Sequence, residues 1–485
     1  MKTNTLDFDA QALREKILDL AMRGKLVPQD PNDEPASVLL EKIKAEKEQL
    51  IKDKKIKKSK PLAPITDDER PFDIPDSWEW VRLGDVNTYN SESVHPDRTP
   101  DKTFELYSVP IFPTRKPEII KGEEIRSNKQ AVETGDVLLC KINPRINRVW
   151  KVSNFTDNEN IASTEWIVVR QREITTEYLR YSLMAPYFRN LLQSNVSGVG
   201  GSLTRAKPRE VRNYVLPIPP LSEQSRIAAK IAQLFALLRK VESSTQQYAK
   251  LQTLLKSKVL DLAMRGKLVE QDPHDEPASA LLEKIKIDTN QRIEIQKIKK
   301  IKFAKHSYDD QIKYSIPDTW VWTRIGDILY KLTDGVHQRP NYTNEGVPFL
   351  SVKDMSQGTI DFSDCKYISL EDHEKIYPRC NSEYGDVLLS KVGTTGVPAI
   401  VETKEIFDLF VSVALLKFNH KMINQDFLRY LIMSPIVQQQ VSINTRGVGN
   451  KNWVLRDIAG TLIPLPPKEQ QNKIANMLSK LLFLI

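Results

Sequence analysis

The chain has 485 residues, of which 40% are hydrophobic and 28% charged, and its net charge at pH 7 is +8. This length suits two or three domains, each able to bury a core, and the composition is that of a globular protein. No apolar run is long enough to cross a bilayer, and the first residues lack the apolar segment of a secretion signal. With only three scattered cysteines and no metal-ligand spacing among the six histidines, we expect a cytoplasmic protein without disulfides or metal.

The positive charge is concentrated in two short segments. Residues 42–60 carry nine Lys and three acidic residues, and residues 284–305 carry eight Lys or Arg and two acidic residues. Each segment has a net charge of +6, so the rest of the chain sums to −4. Such runs attract phosphate in a salt-dependent way, but solvated linkers have the same composition. The basic charge therefore does not by itself identify a nucleic-acid-binding protein.

The strongest feature of the sequence is an internal repeat. Residues 19–44 and 261–286 differ at only three of 26 positions, at an offset of 242. Beyond this connector the match becomes looser and the offset drifts. The further matching pairs are IPDSW (74–78) with IPDTW (316–320), GDVLL (135–139) with GDVLL (385–389), and PIPP (217–220) with PLPP (464–467). A period near 245 residues is too long for a solenoid and indicates a duplicated domain with a duplicated connector.

Between the connectors lie two variable blocks, 86–197 and 328–446, which share only scattered residues. Short apolar or alternating runs bounded by Gly, Pro and Asn predict strands in each block, with a short helix near 176–194 and near 425–441. A common scaffold with two different blocks suits a reader of two different targets. Drift of the blocks, with recombination between the connectors, would leave the same pattern.

A long helix is predicted from Ser222, as N-cap, to Gly266. Its apolar residues follow the 4,3,4,3 spacing of a coiled-coil seam, and at ~1.5 Å per residue the rod is roughly 65 Å long. The seam positions, which we also predict to bind partners, are Ile227, Ile231, Leu234, Leu238, Val241, Thr245, Tyr248, Gln252, Leu255, Val259 and Leu262.

The two ends of the chain repeat this spacing. We predict that they form a second rod antiparallel to the central helix, with the variable blocks at opposite ends of the spacer. Antiparallel coils also serve plain dimerisation or scaffolding, so the helices alone do not identify a function. The residues that match the first part of the seam are Ile474, Leu478, Leu481 and Ile485, and those that match the last part are Leu13, Ile17 and Leu20.

The duplicated connector, IPDSW and IPDTW, GDVLL, and PIPPLSEQ before the central helix together resemble the specificity subunit of type I restriction–modification systems. The resemblance covers essentially the whole chain, and the connector and PIPPLSEQ are its most specific parts. In the second copy, PLPPKEQQ, the Glu-Gln pair is shifted by one position.

The resemblance implies a non-catalytic chain with two target-recognition domains, each reading one half of a split sequence in double-stranded DNA. It also implies two modification (methyltransferase) subunits docked on the helices, joined by restriction subunits that complete the nuclease. The chain itself would bind no cofactor, since S-adenosylmethionine, Mg and ATP belong to those partners.

The predicted fold is α+β, with two pseudo-symmetric recognition domains, mixed but mostly β with short helices, separated by a long antiparallel coiled coil. The predicted segments are 1–26, the N-terminal half of the distal helix; 27–69, connector and basic linker; 70–218, recognition domain 1; 219–266, the central helix; 267–312, the second connector and basic linker; 313–464, recognition domain 2; and 465–485, the C-terminal half of the distal helix.

Candidate DNA contacts lie in polar and Gly-rich loops. Arg and Asn can read guanine and adenine, and Gly-rich loops let the backbone approach phosphate. Taken one at a time, each of these residues also fits an ordinary solvated loop, whereas we expect Trp78, Trp80, Trp320 and Trp322 to anchor cores. The candidates are Lys141, Asn143, Arg145, Asn147, Arg148, Ser197, Gly200, Ser202 and Arg205 in the first block, and His337, Gln338, Arg339, Tyr342, Lys391, Thr394, Thr395, Arg446, Lys451 and Asn452 in the second.

Two other classes of function remain open on the residues alone. No GxxxxGK[ST], GxGxxG or Asn/Asp-Pro-Pro-aromatic methyltransferase motif is present. Of the (D/E)xK triplets, only the one at 364–366 has an upstream acid, Asp354 or Asp361, for a metal-dependent nuclease. Mg-dependent cleavage by the isolated chain would identify that enzyme. A coiled-coil adaptor with two protein-binding domains would instead show no DNA affinity, even with methyltransferase partners present.

Overall fold

The computed structural model describes residues 8–194, 196–197, 204–303, 314–447 and 451–485. The chain divides into two compact units, Met1–Gln246 (unit 1) and Gln247–Ile485 (unit 2). The boundary falls inside a long helix, α7 (Leu221–Met264), so each unit contains one part of it. Across the described ranges, every helix is too short or too polar to span a membrane.

Unit 1 contains helices and small sheets. Its described helices are α1 (Ala10–Met22), α2 (Ala36–Lys52), α3 (Leu83–Val86), α4 (Thr176–Met184), α5 (Pro186–Ser194), α6 (Pro208–Val211) and the first part of α7. Its described strands are β1 (Glu79–Arg82), β2 (Ser93–Val94), β3 (Thr103–Tyr107), β4 (Glu118–Lys121), β5 (Lys129–Ala131), β6 (Val137–Cys140), β7 (Val149–Lys151), β8 (Glu159–Ser163), β9 (Trp166–Val169), β10 (Val196–Ser197), β11 (Arg205–Ala206) and β12 (Val215–Ile218). They form the sheets β2-β5-β8-β3-β4 and β7-β6-β9, and the pairs β1-β12 and β10-β11.

Unit 2 has the same kind of organisation. Besides the last part of α7, its described helices are α8 (Ala278–Gln296), α9 (Leu370–Ile376), α10 (Gln425–Met433), α11 (Pro435–Asn444), α12 (Leu455–Gly460) and α13 (Lys468–Leu484). Its described strands are β13 (Val321–Arg324), β14 (Lys331–Asp334), β15 (Tyr342–Thr343), β16 (Val347–Leu350), β17 (Lys366–Ile368), β18 (Val387–Ser390), β19 (Pro398–Ile400), β20 (Asp408–Leu409), β21 (Val413–Lys417) and β22 (Leu462–Leu465). They form the sheets β14-β21-β18-β19 and β15-β17-β16-β20, and the pair β13-β22.

The two units share a framework, as the repeat predicts. In each, the strand after the IPD(S/T)W motif pairs antiparallel with the strand that contains the Pro-rich motif: β1 with β12 and β13 with β22. Each GDVLL strand, β6 or β18, lies between two antiparallel neighbours, and the described strands of each unit include a parallel pair, β3-β8 or β16-β20. The α+β prediction is confirmed for each unit.

The GDVLL motif of unit 1 forms the central, buried strand of its sheet. Val137, Leu138 and Leu139 are fully buried. Successive residues of a strand face opposite sides, so Val137 and Leu139 pack against the helices while Leu138 joins a second core with Trp150.

The acidic residue of each GDVLL motif pairs with a cation at the end of the neighbouring strand, Arg170 just after β9 or Lys417 in β21. Asp136 lies 2.7 Å from Nη2 of Arg170, and Asp386 lies 2.7 Å from Nζ of Lys417. Both carboxylates are almost fully shielded from solvent.

Each variable block contains two consecutive helices where one was predicted. A proline, Pro186 or Pro435, follows the first helix and begins the second. Proline lacks the backbone N–H that would continue the first helix, and it disfavours a helical conformation in the residue before it. The chain therefore turns and starts a new helix at each proline.

The long helix forms as predicted, with a different start. α7 begins at Leu221, directly after Pro220, so Ser222 lies inside the helix, where its hydroxyl hydrogen-bonds to Asp33 instead of capping. Gly266, with φ of +67°, follows the helix end as expected.

The antiparallel packing of the chain ends is confirmed within each unit. In unit 1, Arg14 of α1 pairs with Glu242, and Leu18, one turn further along α1, joins the same core as Phe235. In unit 2, Gln252 donates to the Ile485 carbonyl, and Gln470 donates to the Glu270 carbonyl at 2.7 Å. In unit 1 positions rising along α1 meet positions falling along α7, and in unit 2 positions rising along α13 meet positions falling from the connector after α7 back into α7.

The predicted seam is only partly buried. Ile227, Ile231 and Val259 are buried, and so are Ile474 and Leu478 of α13, whereas Leu234, Leu238 and Leu481 are half-buried. The seam prediction was wrong for Val241, Tyr248 and Leu255, which are 44%, 60% and 49% exposed, while the partner binding of the seam positions stays a prediction. Residues 236–258 of α7 are all half-buried or exposed, and Phe235 and Leu260, just outside this stretch, are buried.

Candidate nucleic-acid interface

The strands of unit 1 bring several loops to one edge. Cys140, the last residue of β6, pairs with Trp166, the first residue of β9. Ser163, the last residue of β8, pairs with Lys129, the first residue of β5. Only two residues separate β8 from β9, so these strand ends lie side by side. We call this the loop edge of unit 1, and the predicted loop 141–148 starts from it.

A backbone clasp joins two predicted DNA-contact loops in unit 1. The Asn143 N–H donates to the Thr204 carbonyl at 2.8 Å, and the Ala206 N–H donates to the Lys141 carbonyl at 2.8 Å. Ile142 and Arg205 form the β-bridge between these bonds. Loops more than 50 residues apart in sequence therefore act as one surface. Ser197 lies in β10, opposite Arg205, while Gly200 and Ser202 lie outside the described residues.

The clasp of unit 1 carries exposed cations. Arg145 is exposed, and its Nε donates to Oδ1 of Asn143 at 3.0 Å, which orients the guanidinium. Arg205 is exposed with Nε 3.3 Å from Oε2 of Glu165, and Lys141 is half-buried. Asn143 has φ of +51°, a left-handed conformation that Asn adopts more readily than most residues.

Two residues of the same loop serve the fold instead. The Asn147 Nδ2 group donates to the Leu183 carbonyl at the end of α4, at 3.1 Å, so its amide N–H is used inside the protein. Arg148 spans its own loop, with Nη1 3.4 Å from the Ile142 carbonyl. For Asn147 the predicted role changes from base contact to loop support, because its amide faces the helix pair.

Unit 2 repeats the clasp with different side chains. The Gly393 N–H donates to the Lys451 carbonyl at 2.8 Å, and the Trp453 N–H donates to the Lys391 carbonyl at 2.8 Å. Val392 and Asn452 form the bridge between them. The backbone geometry of the clasp is shared by the two units, whereas the side chains on this surface differ.

The side chains around the clasp of unit 2 are mostly open to solvent. Thr394 and Lys451 are exposed, and Thr395 and Asn452 are half-buried. The Arg446 side chain is 80% exposed, with Nη2 3.8 Å from Oδ2 of Asp457.

Lys391 does not have the predicted role of a direct DNA contact. Its side chain is 6% exposed, and its Nζ lies 3.1 Å from Oδ2 of Asp334, at the end of β14. Arg379 binds the other oxygen of Asp334 at 2.8 Å and is half-exposed. A lysine paired in the interior cannot reach phosphate without leaving a buried carboxylate unpaired. Lys391 instead ties the loop after Asp334 to the clasp.

The loop 334–342 is held closely to the sheet. The Val336 N–H donates to the Leu409 carbonyl at 2.9 Å. A Cβ at Gly335 would lie 1.9 Å from the Leu409 oxygen, so this position requires glycine. His337, Gln338 and Arg339 follow and are exposed, and His337 Nε2 lies 3.6 Å from Oδ1 of Asp334.

Tyr342 has a cationic neighbour that the sequence analysis missed. It lies in β15, and Nζ of Lys366 on the adjacent strand is 4.0 Å from the centre of its ring. Lys366 stands in the 364–366 triplet considered for a nuclease, and Arg379 belongs to no motif. Strand pairing places Lys366 beside Tyr342, and the ion pair with Asp334 places Arg379 beside the loop 334–342. Patterns within one segment could not have found them.

The acids considered for a nuclease have hydrogen-bond or ion-pair partners nearby in the chain. The Asp354 carboxylate accepts from the Ser351 N–H at 2.7 Å, and Asp364 lies 3.1 Å from Nζ of Lys353. Asp361 accepts from the Ser363 N–H at 2.9 Å. Searched over the described ranges, no group of three His, Cys, Asp or Glu is placed to hold a metal ion.

Comparisons with known proteins identify the family. A family model described as the type I restriction modification DNA specificity domain matches residues 75–252 and 317–483, one stretch per unit. The EcoEI specificity subunit of the Escherichia coli type I restriction enzyme is 30% identical over 533 aligned residues, covering 96% of this chain and 88% of that protein. The E. coli EcoAI specificity subunit is 30% identical over 537 aligned residues, covering 98% and 89%. The chain therefore belongs to the type I restriction–modification DNA specificity family.

Two solved structures have the same fold. A chain from a structure of a type I restriction–modification system aligns with a TM-score of 0.59 and 22% identity, covering 85% of this chain and 92% of that one. The HsdS subunit from Thermoanaerobacter tengcongensis aligns with a TM-score of 0.51 and 21% identity, covering 86% and 92%.

Proposed function

We propose that this chain is the DNA-specificity subunit of a type I restriction–modification complex. Each unit reads one half of a bipartite target in double-stranded DNA, and α7 sets the gap between the halves. The modification subunits then methylate the DNA, and the restriction subunits cleave it. The single observation that carries this proposal is the backbone clasp, which occurs in both units with the same hydrogen bonds and different exposed side chains.

The chemistry of the loops supports DNA as the ligand. Unit 1 presents Arg145 and Arg205, and unit 2 presents His337, Arg339 and Arg446. Guanidinium groups can bond guanine bidentately in the major groove or bind phosphate, and the Gly-rich segments allow close backbone approach. Because the two sets differ in residue type and position, they suit two different half-sites.

Partner docking is supported by apolar side chains on the surface of α7. Leu237 and Val241 are exposed in unit 1, and Leu251, Leu254 and Leu255 are exposed in unit 2. Exposed apolar residues concentrated on one helix are typical of a protein-binding surface. We assign them to the modification subunits. In this proposal the chain is non-catalytic, works in the cytoplasm and binds no cofactor, while S-adenosylmethionine, Mg and ATP bind to the partner subunits.

The test is methylome sequencing of a host that expresses this chain with its cognate modification subunit. The expected result is one new methylated motif with two specific halves and a fixed unspecified gap. A host expressing the modification subunit alone is the matched control.

No new methylation would contradict the proposal, provided that the same modification subunit is active with another specificity subunit. Mg-dependent cleavage of DNA by the isolated chain would favour the nuclease alternative. Stable binding of the modification subunit without DNA affinity would favour the adaptor.

A further inference from the structure

A further polar loop reaches the loop edge of unit 1, outside the DNA contacts assigned above. Val94, the last residue of β2, pairs with Lys129, the first residue of β5, and Lys129 also pairs with Ser163, the last residue of β8. His95 and Asn128 are the next residues outward from these strand ends. With ~4.8 Å between neighbouring strands, the end of β2 lies roughly 10 Å from the end of β8, within the width of one half-site.

The internal repeat relates this loop to a candidate loop of unit 2. At the offset of 242, the Val-His pair 94–95 matches the Val-His pair 336–337. The surrounding framework agrees, because Thr88 and Tyr330, also 242 apart, both donate their backbone N–H to the neighbouring strand segment of the same sheet, at 2.9 and 3.0 Å. His95 therefore occupies in unit 1 the sequence position that His337 occupies in unit 2.

The two loops are fixed by different means. In unit 2 a buried carboxylate, Asp334, anchors the loop through Lys391. Its counterpart in unit 1, Glu92, is exposed. Unit 1 uses Gly122 instead, where a Cβ would lie 2.3 Å from the Thr99 oxygen and 2.4 Å from the Pro96 oxygen. The loop after His95 is thus packed directly on backbone.

The polar groups of this loop have a defined orientation. Nδ1 of His95 lies 3.0 Å from Oδ1 of Asn128, and because an amide oxygen only accepts, Nδ1 donates. This hydrogen bond leaves out the Nε2 atom of His95 and the Nδ2 group of Asn128, which are the groups we consider for DNA. Lys129, buried behind them, donates to the carbonyl and hydroxyl of Ser127 at 2.7 and 2.6 Å and fixes this turn.

We propose that His95 and Asn128 form an additional DNA contact of unit 1, the counterpart of His337 in unit 2. The proposal rests on the proposed function and deepens it by assigning residues to one half-site. Asn can read adenine bidentately, and the imidazole can bond a base edge or a phosphate. The contact lies on the same edge as the clasp that presents Arg145 and Arg205.

The experiment uses the full chain in complex with its modification subunits. Methylomes are compared for the wild type, His95→Ala, Asn128→Ala and His337→Ala, and DNA affinity of each complex is measured on the wild-type target. Lys121→Ala is the matched control, since Lys121 is an exposed cation of the same sheet, at the strand end where β3 begins. A variant that still methylates DNA and still requires the other half of the motif is folded and assembled.

The expected result is that His95→Ala and Asn128→Ala relax one half of the motif, or weaken binding to it, by roughly 5- to 150-fold. His337→Ala should affect the other half, and Lys121→Ala neither. Unchanged motif and affinity in both unit 1 variants would overturn the inference, and so would relaxation of the same half by His95→Ala and His337→Ala. The proposed function fails separately, if the wild-type chain directs no bipartite methylation.

Discussion

Replacement of Lys417 by Met should destabilise unit 2 by about 3–5 kcal/mol at neutral pH, because it leaves a buried carboxylate without its cation. Nζ of Lys417 lies 2.7 Å from Oδ2 of Asp386, and the two side chains are 4% and 1% exposed. Glu383, 3.1 Å from the same ammonium, is 63% exposed and can turn to water, whereas Asp386 cannot. For a unit of this size, such a loss lowers Tm by roughly 6–20 °C.

The pH dependence of this loss has a defined sign. Burial raises the pKa of Asp386 above its usual value, and removal of Lys417 should raise the pKa further. A carboxyl whose pKa is raised by folding lowers the free energy of unfolding little while it is protonated. The loss grows as pH rises through the pKa of the folded state, because the buried group then ionises. The destabilisation by Lys417→Met should therefore be larger at pH 8 than at pH 5.

The assay is thermal or denaturant unfolding of the full chain across this pH range. Lys417→Met with Asp386→Leu should recover most of the loss, since no charge remains buried. Arg170→Met in unit 1 is the matched control and should cost less, because Arg172 still lies 3.3 Å from Asp136. A Lys417→Met chain as stable as the wild type, or a loss that does not change with pH, would refute the reasoning.

Three further predictions concern the framework and the loops. Gly335→Ala should destabilise unit 2 by about 1–3 kcal/mol in unfolding experiments, because the added Cβ would overlap the Leu409 carbonyl. Gly393→Ala should cost less, because the space there is open and only the positive φ opposes alanine. Equal losses of stability would contradict this. Glu223→Gln should gain stability relative to the wild type as pH rises from 4 to 8. Burial raises the pKa of Glu223, so the wild type loses stability as that carboxyl ionises, and glutamine does not ionise. Parallel profiles of stability against pH for the two chains would count against it. Arg145→Ala should weaken DNA binding by the complex. If the guanidinium binds phosphate, the slope of log affinity against log salt concentration should fall by about one, and if it reads a base, one base position of the motif should relax. No change in either measurement would remove Arg145 from the interface.

The hydrogen bonds at the start of the two helices explain the shifted Glu-Gln pair of the second copy. The Glu-Gln pair of the second copy is shifted by one position, but the structure pairs Gln470-Gln471 with Glu223-Gln224. The Gln224 amide donates to the Pro219 carbonyl and accepts from the Thr175 N–H, and Gln471 does the same with Pro466 and Asn424. The distance from the Pro-rich motif sets the hydrogen-bonding position, so Gln471, and not Gln470 of the shifted pair, corresponds to Gln224.

Other parts of the candidate site depended on contacts between distant segments. The loops 141–148 and 197–205 were chosen separately from their Arg, Asn and Gly content, and their junction through Asn143 and Thr204 joins residues 61 positions apart. Lysines at equivalent positions of the two units also differ in burial. Lys391 is buried against Asp334, whereas Lys141 is half-buried and Glu92, the counterpart of Asp334 in unit 1, lies at the surface.

The sequence by itself determined the duplication, the α+β content of each unit, the long helix and the family, because these depend on repeats and periodicities that are written along one segment. Only the tertiary structure decided which polar residues reach the surface and which support it. Burial of Lys391, the role of Asn147 and the neighbours Arg379 and Lys366 follow from strand pairing and ion pairs between segments. A side chain's partner across the fold, and not its own position in a motif, sets whether its charge is available to DNA.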